Sequence, residues 1–181
     1  MEMLAKDHMV LPVADQLIER YGEDLTVVAY MNTSGRLKAL AGRTGGAVCT
    51  SSNAHLVLDW ALKQGKRVLF VPDQHLGRNT AHRLGLEESA IVTLPDPRGP
   101  TIQIDDLPDS PDIWDRARVI LWGSACGVHT IFTPDMVRHF QAEGFRVLIH
   151  PESPLEAVQA ADGQGSTNYL WNELMTAEPG S

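Results

Sequence analysis

Five times along this chain a short apolar run stops at a polar cluster and gives way to a helical or turn-rich stretch, and this repeat restricts the fold more than anything else. Thr26–Tyr30 (TVVAY) runs into MNTSG, Gly46–Cys49 (GAVC) into TSSNA, and Arg67–Val71 (RVLFV) into PDQHLG. Arg118–Trp122 (RVILW) runs into GSACGVH, and Arg146–Ile149 (RVLI) into HPESP. Runs that are apolar throughout, instead of alternating with polar residues, suit strands covered on both faces.

The stretches between them carry helix signals. In Ala54–Gln64, Leu56, Val57, Trp60 and Ala61 form an apolar stripe at helical spacing, and Gly65 stops it. Pro134–Glu143 begins with Thr133 as the N-cap and Pro134 in the first turn, then stops at Gly144. Pro154–Ala161 repeats the device with Ser153 and Pro154. The repeating unit is strand then helix, which predicts an α/β fold with parallel sheets and three-layer αβα domains. Leu86–Asp115 interrupts the pattern with five prolines and many acids, so it reads as a connection. The predicted division is one αβα domain over 26–88, a Pro/Asp-rich connection over 89–117, and an incomplete αβα domain over 118–181.

Charge limits the partners. Fifteen basic and 23 acidic side chains leave a net charge of −8, with no Lys/Arg stripe to follow a nucleic-acid backbone. A small anionic substrate is still compatible, since backbone N–H groups and a few aimed side chains can hold one. No segment is apolar for long enough to span a bilayer, and MEMLAKDHMV lacks the pattern of a secretory signal. Two cysteines, Cys49 and Cys126, make no disulfide framework, so a reducing cytoplasm is the expected location.

Ligands of parallel α/β sheets bind outside the carboxyl ends of the strands. Here those ends carry Tyr30 and Asn32; Thr50, Ser51, Ser52 and Asn53; Asp73, Gln74 and His75; Cys126 and His129; and His150 and Glu152. Any one of the small polar residues is equally a helix cap or turn residue. His150-Pro151-Glu152 places an imidazole and a carboxylate two apart on a stiffened turn, suited to acid–base work or simply to entering the next helix. His129, three residues after Cys126, is open to reading as a metal ligand, a base or a packed side chain, because no second Cys/His pair completes four zinc ligands. Gly163–Thr167 (GQGST) has the form of an anion cradle or of an ordinary turn. Cys49, inside an apolar run, reads as a buried small hydrophobe.

Taken in order, YMNTS (Tyr30–Ser34) with Lys38 and Ala39, CTSSNA (Cys49–Ala54), FVPDQHLGRNTA (Phe70–Ala81), LWGSACGVH (Leu121–His129), HPES (His150–Ser153) and GST (Gly165–Thr167) resemble quinolinate synthase. The resemblance implies three αβα domains related by pseudo-threefold symmetry around a central active site, of which this chain supplies the second and most of the third. Residues 1–25 then correspond to the connection from a first domain. The reaction implied is condensation of iminoaspartate with dihydroxyacetone phosphate to quinolinate, in de novo NAD biosynthesis. An aspartate-oxidising enzyme is the implied source of the imine.

The implied cofactor is a [4Fe–4S] cluster on three cysteines with one iron open to substrate. Carried over by motif, Cys126 is one cluster ligand. Tyr30, His150 and Glu152 are catalytic, and Tyr30, Met31, Asn32, Ser51, His150, Pro151, Glu152 and Thr167 bind substrate, with His129 in support. The pattern departs from the family at both ends: no cysteine precedes Thr26, and the third cluster cysteine is expected beyond Ser181. By itself the chain is therefore expected to hold no cluster and to turn nothing over. The alternative is a non-catalytic module that retains the anion pocket. A role in completing another chain's site comes last, because no helix advertises an exposed apolar face.

Overall fold

The computed structural model describes residues 5–95 and 111–178. Its centre is a five-stranded parallel sheet in the order β2-β1-β3-β5-β4, built from β1 (Leu25–Tyr30), β2 (Ala47–Cys49), β3 (Arg67–Val71), β4 (Ile91–Thr93) and β5 (Val119–Leu121). Side chains alternate between the faces of a strand, and here both faces are apolar. Val27, Ala29, Leu69, Val71 and Ile120 point to one side, where α1 (Asp7–Tyr21), α2 (Gly35–Arg43) and α5 (Pro111–Arg116) pack Val13, Leu17, Leu37, Leu40 and Trp114 against them. Val28, Val68, Phe70, Val119 and Leu121 point to the other, against Leu58 and Ala61 of α3 (Ala54–Lys63) and Leu76 and Ala81 of α4 (Gln74–Arg83). This is the three-layer parallel α/β arrangement that the continuous apolar runs predict.

A smaller unit follows. Strands β6 (Leu148–Ile149) and β7 (Gly163–Gln164) pair in parallel, and α6 (Pro134–Ala142) and α7 (Leu155–Ala160) close a core of Val137, Ile149, Ala157 and Val158. The last helix, α8 (Thr167–Thr176), buries none of its residues. Caps form where the sequence offers them: Thr133 Oγ1 accepts from the Met136 N–H, and Ser34 Oγ from that of Leu37.

Three expectations about boundaries need correction. The run beginning at Arg118 does not open the second domain. Val119–Leu121 pairs with Val68–Phe70 in the first sheet, because a strand apolar on both faces is buried only where helices already cover both sides. The stretch 89–117 is not solely a connection either: Ile91–Thr93 forms the edge strand beside β5, and α5 precedes β5, while residues 96–110 lie outside the described residues. Before Thr26, Asp7–Tyr21 form a helix whose Val10, Val13, Ala14 and Leu17 are buried, so this helix packs into the core. Ser153 does not cap the helix after it, which starts at Leu155; its hydroxyl is buried without a partner among the described residues.

Exposed apolar surface is present after all. Met136 and Phe140 on α6, with Trp171, Leu174 and Met175 on α8, are all more than 40% exposed. A groove of about 440 Å³ runs between α6, β6 and Leu170. The stripes on these helices are too short to stand out against their polar neighbours in sequence.

Candidate active site

Parallel pairing brings the carboxyl ends of β1, β2, β3 and β5 to one edge of the sheet, and the His150–Ser153 turn folds over it. Tyr30, the last residue of β1, is 7% exposed, and its hydroxyl interacts with Glu152 and Ser51. Burial raises its pKa far above the ordinary phenol value, and hydrogen bonding to the Glu152 carboxyl pushes the same way. The phenol keeps its proton.

Asp73 is the fixed point of this edge. As N-cap of α4 it accepts the Leu76 N–H on Oδ1 at 2.8 Å, and its Oδ2 accepts the Cys126 N–H at 3.0 Å. The Gln74 N–H donates to the Ser124 carbonyl at 2.8 Å, so helix α4 and the loop after β5 are pinned together twice. Asp73 has no exposed surface, and burial drives its pKa up to about 7 against the pull of the two N–H groups. Helix α4 reaches the sheet closely enough to do this because residue 77 is glycine: a Cβ there would lie 2.5 Å from Leu121 Cδ2.

Asn79, one turn further along α4, holds the other wall. Its Nδ2 donates to the carbonyls of Pro151 and Ser153, each at 2.8 Å, and the side chain is 3% exposed. The His150–Ser153 turn therefore hangs from α4 and not merely from its own strand. Within it the Glu152 N–H donates to His150 Nδ1 at 3.4 Å, which puts the proton of the neutral ring on Nε2. Burial lowers the His150 pKa; the Glu152 carboxylate opposes this, and the neighbouring His129 adds to it. The ring stacks on His129 with centroids 4.9 Å apart and planes 13° from parallel.

Cys126, His129 and Glu152 meet at the centre. One ligand-type atom of each lies within 4.8 Å of the other two, and Cys126 and Glu152 are 6% and 5% exposed. His129 Nδ1 stands 3.1 Å from Glu152 Oε2 but is not aligned with it as a hydrogen bond, and has no other partner among the described residues. A cavity of about 280 Å³, whose polar lining includes Ser51, Asn79, Arg83 and Ser166, reaches Ser51 and Pro151 of this edge but is lined by none of Tyr30, Cys126, His129, His150 and Glu152.

The structure thus brings Tyr30, Ser51, Cys126, His129, His150 and Glu152 to one edge. Pro151 lines the cavity through its place in the hung turn. Met31, Asn32 and Thr167 are exposed, and none lines that cavity. Thr50 and Asn53 are occupied by each other, with Asn53 Oδ1 accepting both the N–H and the hydroxyl of Thr50. Asp73, Asn79 and Arg83 carry more of the site than their residue types suggested. The first two lie inside the FVPDQHLGRNTA string, which was their signal. Arg83, just beyond it, gave none.

Cys49 is 1% exposed in β2, and burial pushes its thiol up to about 12. At pH 8 the thiolate is then on the order of one part in ten thousand. Iodoacetamide is expected to leave Cys49 unmodified in the native chain and to alkylate it fully in denaturant, as read by peptide mass spectrometry. Native alkylation at the speed of a free thiol would contradict the burial.

Comparison with known proteins points to one family. The family model described as quinolinate synthetase A protein matches residues 3–180. A quinolinate synthase of Geobacillus kaustophilus is 44% identical over 170 residues, covering 91% of this chain and 44% of the relative. Those of Corynebacterium glutamicum and Halobacterium salinarum are 42% and 41% identical, covering 92% and 87% of this chain and 42% and 41% of themselves. The chain spans less than half the length of these curated relatives.

Proposed function

Since the chain belongs to the quinolinate synthetase A family, we propose that it serves the formation of quinolinate from iminoaspartate and dihydroxyacetone phosphate, on the route to NAD. The observation that carries this reading is the meeting of a buried phenol, a carboxyl, two imidazoles and a thiol at one edge, with a hydroxyl- and arginine-lined cavity that reaches Ser51 and Pro151 of the same edge. Both substrates are anions. Ser51, Ser166 and Arg83 suit a carboxylate or phosphate, and Thr167 begins a helix whose free N–H groups favour negative charge. Met31, Asn32 and Pro151 complete the proposed substrate contacts.

Tyr30 holds its proton and donates a hydrogen bond to oxygen on which negative charge develops during condensation. Glu152 and His150 exchange protons with the substrate, with His150 donating from Nε2. Burial of Tyr30, Glu152 and Cys126 excludes water, which would hydrolyse an imine. The imine itself would come from an aspartate-oxidising enzyme. A cytoplasmic setting suits these metabolites, and no described helix is long and apolar enough to cross a membrane.

A [4Fe–4S] cluster does not fit these residues alone. Such clusters are held by several cysteine thiolates, the chain has two cysteines, and Cys49 is packed into β2 among core residues. Cys126 is the one thiol in the Cys/His/Glu cluster among the described residues. A cluster in a longer protein would draw its other thiolates from polypeptide outside this sequence.

Calorimetric titration of the 181-residue chain with quinolinate is expected to show one saturable site, weakened about tenfold or more by Ser51→Ala or Tyr30→Phe, since each removes a hydrogen bond to a charged group. A folded chain that takes up neither quinolinate nor inorganic phosphate would overturn the reading. The single thiol favours a second reading, a non-catalytic anion-binding module. Turnover of the two substrates by the anaerobically reconstituted chain would remove that alternative.

A further inference from the structure

We propose that the cavity between α3, α4 and the start of α8 is a seat for one phosphate group, recognised by Arg83 and His55 and separate from the edge that carries Tyr30 and Glu152. None of Tyr30, Cys126, His129, His150 and Glu152 lines it. Such a seat presupposes the anion-binding reading above and narrows its carboxylate or phosphate to phosphate. At about 280 Å³ the cavity lies near the lower end of small-molecule sites.

Two helix starts converge on this space. Ser52 and His55 come from the beginning of α3, Ser166 and Tyr169 from that of α8, and Arg83 from the far end of α4. Helix α3 begins without a side-chain cap, because Asn53 Oδ1 is taken by the N–H and hydroxyl of Thr50. The positive end of its dipole is left for an anion. In the Gly163–Thr167 loop the Gly165 N–H is already spent on the Ile149 carbonyl at 3.1 Å. The glycine there admits Tyr169 instead, whose Cδ1 would lie 2.3 Å from a Cβ at residue 165. The ring becomes a wall of the cavity.

The charges call for an anion, and one side chain selects its kind. Arg83 forms no ion pair among the described residues, although the chain carries a net charge of −8. Burial lowers the His55 pKa, and the nearby Arg83 guanidinium lowers it further. Two basic side chains facing one space with no acid in its lining favour a dianion. Arginine suits phosphate further through its paired N–H donors. Asn79 also lines the cavity. Its Nδ2 is spent on the Pro151 and Ser153 carbonyls, and its Oδ1 is buried without a partner among the described residues. That acceptor needs a donor. An ionised carboxylate has none, whereas hydrogen phosphate carries a P–OH and a hydroxylated phosphate ester a C–OH.

Calorimetry of the 181-residue chain with inorganic phosphate tests the seat, read beside quinolinate. One phosphate per chain is expected, still bound when quinolinate is saturating. Arg83→Gln and His55→Ala are each expected to weaken phosphate binding about tenfold or more, the worth of a charged hydrogen bond, and to cost quinolinate far less. Arg83→Lys should restore only part of the loss, since an ammonium keeps the charge without the paired donors. The His55 ring resonances should shift on phosphate addition in the parent and not in Arg83→Gln. Each variant is compared at matched fold by its urea transition. A titration with dihydroxyacetone phosphate separates the sources of the group: tighter binding than the free ion assigns the seat to a substrate, weaker binding to released phosphate. A folded chain that takes up quinolinate but no phosphate would overturn the inference and leave the functional reading standing. Displacement of phosphate by quinolinate, or equal loss of both in Arg83→Gln, would also overturn it. Phosphate binding that depends on Arg83, without quinolinate binding, leaves the seat and counts against the functional reading.

Discussion

Gly123→Ala is expected to destabilise the chain by about 3 kcal/mol, the upper end of the usual range for overfilled interiors. A Cβ at this position would lie 1.9 Å from the Leu94 carbonyl oxygen and 2.7 Å from that of Pro95. These obstacles are backbone atoms, which cannot rotate away as a side-chain tip can. Relief requires moving the strand end that holds β4 to β5, where the Leu94 N–H donates to the Leu121 carbonyl at 2.9 Å. Residue 123 also leads directly into the loop that carries Cys126, so the same strain should displace the thiol from His129 and Glu152. Urea unfolding measures the first effect and quinolinate affinity the second. A variant with an unchanged urea midpoint would mean that this packing is looser than described.

Asn79→Asp is expected to be worse than Asn79→Ala, although it is nearly the same shape. The alanine variant leaves the Pro151 and Ser153 carbonyls without their donor, and a buried acceptor so abandoned costs about 1 to 3 kcal/mol. Aspartate puts an acceptor against those two acceptors. The buried side chain must then take up a proton or repel the turn. The expected order of stability is parent, then alanine, then aspartate at neutral pH, with the aspartate variant recovering part of its loss as the pH falls and the carboxyl protonates. Here the acid's folded pKa is raised, so the folded state binds the extra proton and gains stability at low pH. An aspartate variant as stable as the parent at neutral pH would show that the turn does not depend on α4.

Much of the architecture was legible because it follows from local patterns. β3 (Arg67–Val71) has the bounds that its apolar run predicts, and α3 and α6 end within one residue of their expected ends before Gly65 and Gly144. The boundary at 118 was not legible. A run apolar on both faces announces burial between helices but not which sheet buries it, and the pairing of Val119–Leu121 with β3 is a contact between residues about 50 positions apart. Nor did Ile91–Thr93 stand out, since three residues at a sheet edge beside a proline-rich stretch give too short a pattern.

The candidate site divides along the same line. Tyr30 and Cys126 could be picked out from where they stand, because the ends of parallel strands in one sheet face one edge; His150 and Glu152 follow β6 of the other sheet and were legible from their motif. The roles of Asp73 and Asn79 could not, since an aspartate at a helix start and an asparagine inside a helix have ordinary local explanations. What distinguishes them is the partner at the far end of each hydrogen bond: the Cys126 amide for one, the Pro151 and Ser153 carbonyls for the other. By itself, the amino-acid order determined a parallel αβα fold and the polar groups along its active edge, through periodicity and motif. Tertiary structure alone decided that Glu152 would come within 4.8 Å of Cys126 and His129, because that distance is set by how α4 carries one turn over another, and no local rule encodes it.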